Sequence, residues 1–91
     1  MRRVIWSDEA SENAEVIFAY VSGFSLPAAR RLNMRLVAAA ASLAEMPDRG
    51  RQWRGEVRDL LAVPPYLMRY VVLSEEIRII KIRHSARRPE R

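Results

Sequence analysis

Tyr66-Leu67-Met68-Arg69-Tyr70-Val71-Val72-Leu73 and Ile77-Arg78-Ile79-Ile80-Lys81-Ile82-Arg83, separated by Ser74-Glu75-Glu76, decide the fold of this chain. Both runs are rich in β-branched and aromatic residues. A short polar turn between two such runs reads as an antiparallel hairpin. Side chains alternate along a strand, so Tyr66, Met68, Tyr70 and Val72 share one side of the first run and Leu67, Val71 and Leu73 the other. In its mate, Ile80 and Ile82 oppose Ile77 and Ile79. A half-solvated antiparallel sheet alternates apolar with polar residues; this hairpin is apolar on both sides. One face is expected to lie on the protein's own helices and the other to meet a partner. The alternative cover is a strongly twisted sheet with the stems of Arg58, Arg69 and Arg78 lying over its aliphatic side chains.

Upstream of the hairpin, Val4-Ile5-Trp6 is a short first strand. Ser7 follows as an N-cap, with Asp8, Glu9 and Glu12 placed where a helix dipole favours negative charge. Ala10, Ala14, Ile17, Phe18 and Val21 recur at the spacing of one helical face, and Gly23 is a stop. Ser25-Leu26-Pro27 starts a second helix, since proline is tolerated in a first turn. Ala29, Leu32, Leu36, Ala40 and Leu43 form its apolar stripe, and Pro47 is expected to end it. Asp48-Arg49-Gly50-Arg51 reads as a turn, Val57-Arg58-Asp59-Leu60-Leu61 as a weaker strand, and Pro64-Pro65 as the break before the hairpin. The sequence therefore predicts an α+β fold in the order β-α-α-β-β-β, a helical hairpin packed on a small antiparallel sheet. At 91 residues the chain is expected to form one domain, 1–91.

Composition narrows the function classes. There is no cysteine and one histidine, His84, so neither a disulfide framework nor an all-protein zinc site is expected, and nothing calls for a cofactor. Lack of cysteine fits a reducing cytoplasm. Arg2-Arg3 is followed by too short an apolar run for a signal peptide, and residues 37–41 are too few to span a bilayer, so no membrane partner is expected. The net charge of +5 is one-sided. Residues 1–45 hold five arginines against five acids, whereas residues 46–91 hold eleven cations against six acids. Such a field attracts nucleic acid, a nucleic-acid machine or an acidic protein.

Paired carboxylates, a Gly-rich phosphate loop and a nucleophile–base set are all missing. What remains is a nuclease-like inventory. Cleavage of RNA by its own 2′-hydroxyl needs cations on the phosphate and groups that move protons. Arg51, Arg69, Arg83, Arg87 and His84 are the residues that would supply them.

Four segments carry a resemblance: Val4-Ile5-Trp6-Ser7-Asp8-Glu9-Ala10; Pro27-Ala28-Ala29-Arg30; Leu43-Ala44-Glu45-Met46-Pro47-Asp48-Arg49-Gly50-Arg51; and Ile80-Lys81-Ile82-Arg83-His84-Ser85-Ala86-Arg87. In this order and spacing, over nearly the full length, the chain resembles the ParE/RelE superfamily, the toxins of type II toxin–antitoxin systems. The resemblance implies a sheet on a helical hairpin, a cytoplasmic protein and a hetero-oligomer with a cognate antitoxin lying across the toxin. For that antitoxin the expected contacts are Leu67, Arg69, Val71, Leu73, Ile77, Arg78 and Ile79. Two branches remain open. In the ribosome-dependent, mRNA-cleaving RelE branch an arginine follows the tyrosine that begins the penultimate strand. Here Leu67 follows Tyr66, and no tyrosine follows Tyr70. The ending His84-Ser85-Ala86-Arg87-Arg88-Pro89 looks more like the ParE branch, whose members poison DNA gyrase and are binding inhibitors, not enzymes. Under that reading Arg83, His84, Arg87 and Arg88 contact the target. Under the endoribonuclease reading Arg51, Arg69 and Arg87 hold the phosphate and His84 donates a proton.

Overall fold

The computed structural model describes residues 1–86. Strand β1 (Arg3–Trp6) leads into helix α1 (Asp8–Ser22) through Ser7, whose extended backbone and side-chain oxygen make the N-cap. The Ser7 hydroxyl oxygen accepts from the Ala10 N–H at 3.0 Å and the same hydroxyl donates to the Ile80 carbonyl at 2.8 Å. One side chain thus starts the helix and fastens it to the other end of the chain. Ser7→Ala should cost about 1–2 kcal/mol in urea unfolding, the usual worth of a lost cap plus a stranded carbonyl. A loss near zero would show that water replaces both bonds.

Helix α2 (Leu26–Ser42) is capped by Ser25, which accepts from the Ala28 N–H, and carries Pro27 in its first turn. It ends at Ser42, before the expected Pro47. From Leu43 to Glu45 the backbone N–H groups bond three residues back, the tighter geometry into which helix ends commonly wind down. The Ser42 hydroxyl donates to Ala39 and accepts from Arg49, holding that turn.

Four further strands follow: β2 (Arg51–Arg54), β3 (Val57–Val63), β4 (Tyr66–Val72) and β5 (Glu76–His84). The sheet order is β1-β5-β4-β3-β2. β3, β4 and β5 form the expected antiparallel run of three, and β2, a fourth strand that was not expected, adds to it antiparallel on β3. β1 adds to β5 in parallel, so the sheet is mixed. With α1 over β5 and α2 over β3, the architecture is the expected helical hairpin on one face of a sheet.

Two β-bulges change which residues face inward. Between Arg69–Lys81 and Tyr70–Ile79, strand β5 carries one extra residue, Ile80. An inserted residue flips the alternation beyond it. Ile77, Ile79 and Ile82 consequently all point into the core, at 0, 0 and 3% exposure. The same device between Leu60 and Val63 puts both of those side chains inside. The reading that set Ile77 and Ile79 opposite Ile82 is therefore corrected, and β5 is less two-sided than its spelling. The Ile80 carbonyl, displaced from the regular ladder, is the one that Ser7 satisfies.

Tyr70 is the largest side chain at the centre of this core. Its hydroxyl donates to the Pro47 carbonyl at 2.7 Å and accepts from the Gly50 N–H at 2.8 Å. Arg58 donates to the Gly50 carbonyl and lies 3.6 Å from Asp48. It therefore works on the helix side, not over the outer face. Together these bonds tie the connection between α2 and β2 to the sheet. Burial pushes the Tyr70 phenol above its usual value, the Gly50 hydrogen bond opposing. A group with a raised folded pKa keeps its full contribution below the unfolded value of 10.0, and that contribution falls as pH rises beyond it. Alkaline titration monitored by circular dichroism should show unfolding above that value, less steep in Tyr70→Phe after its lower starting stability is allowed for.

Candidate functional site

The outer face of the sheet has no helix over it among the described residues, and its centre is filled by a charged cluster. Asp59 on β3 and Arg69 on β4 are register partners, so their side chains emerge together. Arg69 donates through Nε to Asp59 Oδ1 at 2.9 Å and through Nη2 to Oδ2 at 3.1 Å, a two-pronged pairing. Its guanidinium carbon also lies 3.5 Å from the centroid of the Trp53 ring, with Arg54 at 4.5 Å from the same centroid. Arg69 is only 6% exposed. Arg51, the register partner of Asp59, stands exposed beside this cluster. Leu67 and Val71 are half-buried around it, Leu73 is 40% exposed just beyond β4, and Arg78 is exposed with its charge paired to Glu76 at 2.8 Å.

Of the residues expected to meet an antitoxin, Leu67, Val71, Leu73 and Arg78 thus have accessible surface. Ile77 and Ile79 do not, because the Ile80 bulge turns them toward the helices. Arg69 has its charge met by Asp59 rather than left for a partner. The arginine stem laid over the sheet is realised by Arg69, helped by Trp53, a residue that sequence reasoning passed over. A lone aromatic in the polar run Arg51-Gln52-Trp53-Arg54 was the available signal.

A second region forms where β5 runs on past the end of β1. There its exposed edge faces α1, and the Asn13 side-chain oxygen accepts from the Ile82 N–H at 3.0 Å. His84 is the register partner of Tyr66, with the rings packed edge to face at 5.5 Å. The Ala86 N–H donates to His84 Nδ1 at 3.0 Å, so in the neutral ring the proton sits on Nε2. Asn13, Val16, Ile17 and Tyr20 of α1 and Tyr66, Ile82, Arg83 and His84 of the sheet line an open cleft. Arg83 Nη1 is buried and makes no hydrogen bond.

Arg83 and His84 are adjacent at one end of β5, but their register partners, Leu67 and Tyr66, put their side chains on opposite faces of the sheet. Arg87 and Arg88, the other expected target contacts, lie outside the described residues. The nuclease set is divided. Arg51 and Arg69 belong to the outer face, whereas His84 pairs with Tyr66, which packs on the core side. No group of three metal-ligating side chains occurs among the described residues, and no helix is long and apolar enough to cross a membrane.

Comparisons with known proteins bear on this arrangement. The chain is 44% identical over 87 residues to Toxin RelE2 of Caulobacter vibrioides, covering 96% of this chain and 99% of that protein. Its fold matches a structure described as the chromosomal ParDE TA system from P. aeruginosa. That match has a TM-score of 0.78 at 22% identity, over 92% of this chain and 96% of the other. The family model for the ParE toxin of the type II toxin–antitoxin system parDE matches residues 4–89. With nearly its whole length accounted for in both comparisons of sequence, the chain belongs to the ParE toxin family of type II toxin–antitoxin systems.

Proposed function

We propose that this toxin acts by binding DNA gyrase and holding cleaved DNA, and that a cognate antitoxin neutralises it. The observation favouring this over mRNA cleavage is the division of the cationic set. A phosphate clamp needs free cations converging with a proton-transfer group within hydrogen-bond reach of one reacting centre. Here Arg69 is held by Asp59 and stacked on Trp53, and His84 lies on the other side of the sheet. A binding inhibitor needs no such convergence, only a presented surface. Arg83 and His84, continuing into Arg87 and Arg88, are the proposed surface.

Expression of the chain without its antitoxin is the test. DNA breaks and an SOS response should precede any fall in translation. Rapid translational arrest with intact DNA and mRNA cut on ribosomes would establish the RelE-like endoribonuclease instead. Arg83→Ala and Arg87→Ala should each reduce growth inhibition at least tenfold in the inducer needed. Full toxicity in both would move the target surface elsewhere. For the antitoxin, Leu67, Val71, Leu73 and Arg78 are the outer-face contacts that remain available.

A further inference from the structure

Helix α1 carries a stripe that nothing among the described residues covers. Val16, Tyr20 and, just beyond the helix end, Phe24 follow one another at helical spacing, at 65, 66 and 78% exposure. The Tyr20 and Phe24 rings are already packed edge to face with centroids 5.3 Å apart, so docking on them costs little further ordering. The helix is also electrically one-sided. Asp8 and Glu9 occupy its first turn, but its last turn carries no cation to meet the negative end of the dipole. A guanidinium laid there gains twice, from the ring faces and from the helix end.

Strand β5 leads the chain to this place. Its exposed edge and α1 travel side by side: Lys81 Nζ lies 3.6 Å from Glu9, the Ile82 N–H reaches Asn13, and His84 shares a cleft with Val16 and Tyr20. Each step along the strand is thus a step along the helix toward Phe24. Backbone pairing continues to Ser85, whose N–H donates to the Pro65 carbonyl at 2.7 Å, and the described residues end at Ala86. Beyond it the sequence reads Arg87-Arg88-Pro89-Glu90-Arg91, three arginines against one acid. Five residues span up to about 17 Å, ample for a segment that starts two residues past His84. We propose that this segment docks on α1, with Arg87 or Arg88 stacked on the Tyr20–Phe24 pair beside the carbonyl end of the helix. Charge complementarity selects this occupant. Asp8, Glu9, Glu12 and Glu15 lie on α1 with no cation among them, and Glu12, one turn before Val16, extends the same stripe. A second copy pairing through α1 brings the same acids and no cation. Once docked, Arg87 and Arg88 are withheld from the target, so the segment is a built-in restraint on the toxin. That consequence, unlike the docking, rests on the gyrase reading above.

The test uses nuclear magnetic resonance on the isotopically labelled full chain. Side-chain methylene signals of Arg87 or Arg88 should move upfield by about 0.2 ppm or more above the aromatic rings, with Overhauser contacts to Tyr20 or Phe24. Both effects should vanish when Tyr20→Ala and Phe24→Ala are combined. The Tyr20 and Phe24 ring signals should shift in turn when Arg87→Gln and Arg88→Gln are combined. Both aromatic positions are exposed, so the fold survives these changes, and unaltered amide signals in the β4–β5 hairpin verify it. Absence of the contacts, or arginine signals identical in wild type and the aromatic double variant, overturns the docking. So does a concentration-dependent dimer with Tyr20 and Phe24 in its interface, which would give the stripe to a second copy. Binding to purified gyrase then tests the restraint, and the aromatic double variant should bind at least threefold more tightly than wild type. Equal or weaker binding overturns the restraint and leaves the docking standing. Failure of both proteins to bind gyrase overturns the gyrase reading and the restraint with it, while the contacts to Tyr20 and Phe24 would still establish the docking.

Discussion

Arg69→Ala should destabilise the protein by about 3 kcal/mol, among the largest losses available to any single substitution outside the hydrophobic core. The cause is the charge left behind rather than the bond removed. Asp59 keeps only 16% of its side-chain surface and would hold a carboxylate with no guanidinium against it. Breaking a buried pair from one side commonly costs about 3–5 kcal/mol, and the remaining exposure of Asp59 places this case at the low end. Trp53 would lose the nearer of its two cations at the same time, keeping Arg54. Replacing both partners by apolar residues, Asp59→Leu with Arg69→Met, should recover most of the loss. Urea unfolding of the single and double variants checks both statements. A single variant within 0.5 kcal/mol of wild type, on the order of an ordinary surface change, would mean that water reaches Asp59 freely.

Gly50→Ala should be almost as damaging, about 2–3 kcal/mol, although it adds one methyl group. A β-carbon at this position would stand 2.7 Å from Tyr70 Cε1, 2.8 Å from its hydroxyl and 3.0 Å from the Asp59 carbonyl oxygen. The ring is fully buried and the carbonyl belongs to a sheet strand, so neither yields cheaply. Relief requires the loop to move away, which also breaks the Gly50–Tyr70 hydrogen bond. Gly55 offers the control. A β-carbon there meets nothing within 4 Å, but the backbone has φ +50°, so its alanine variant reports conformational strain alone, about 1 kcal/mol. If Gly50→Ala proves no worse than Gly55→Ala in thermal or urea unfolding, the packing account of Gly50 fails.

Much of the chain could be read before its fold was seen. Ser7, Ser25 and Pro27 mark helix starts by chemistry that is local to a few residues, and the structure uses each as expected. The bulges could not be read this way. Ile80 is the same residue type as Ile79 and Ile82, so nothing in its side chain says that it stands outside the alternation. That choice is made by cross-strand register and by Ser7, 73 positions away. Strand β2 escaped for a related reason: a four-residue, mostly polar edge strand has little periodicity to detect. At the candidate site, charge and position pointed to Arg83 and His84. Their neighbours on α1 depend on how the helix crosses the sheet. Asn13 was the missed clue, a modest helix former in mid-helix whose amide oxygen takes a strand N–H.

Strand β1 has a consequence for how the molecule assembles. Its partners, Glu76 to Ile79, lie more than 70 positions further along the chain. The helical pair and the β2–β5 meander each close over short connections, whereas joining the first strand to the last closes a loop of nearly the whole chain. Such closure is entropically the slowest event in a small domain. The N-terminal strand should therefore dock late, with low φ-values at Val4 and Ile5 and high ones in the β4–β5 hairpin. By the same logic it should be the first segment to exchange its amide hydrogens.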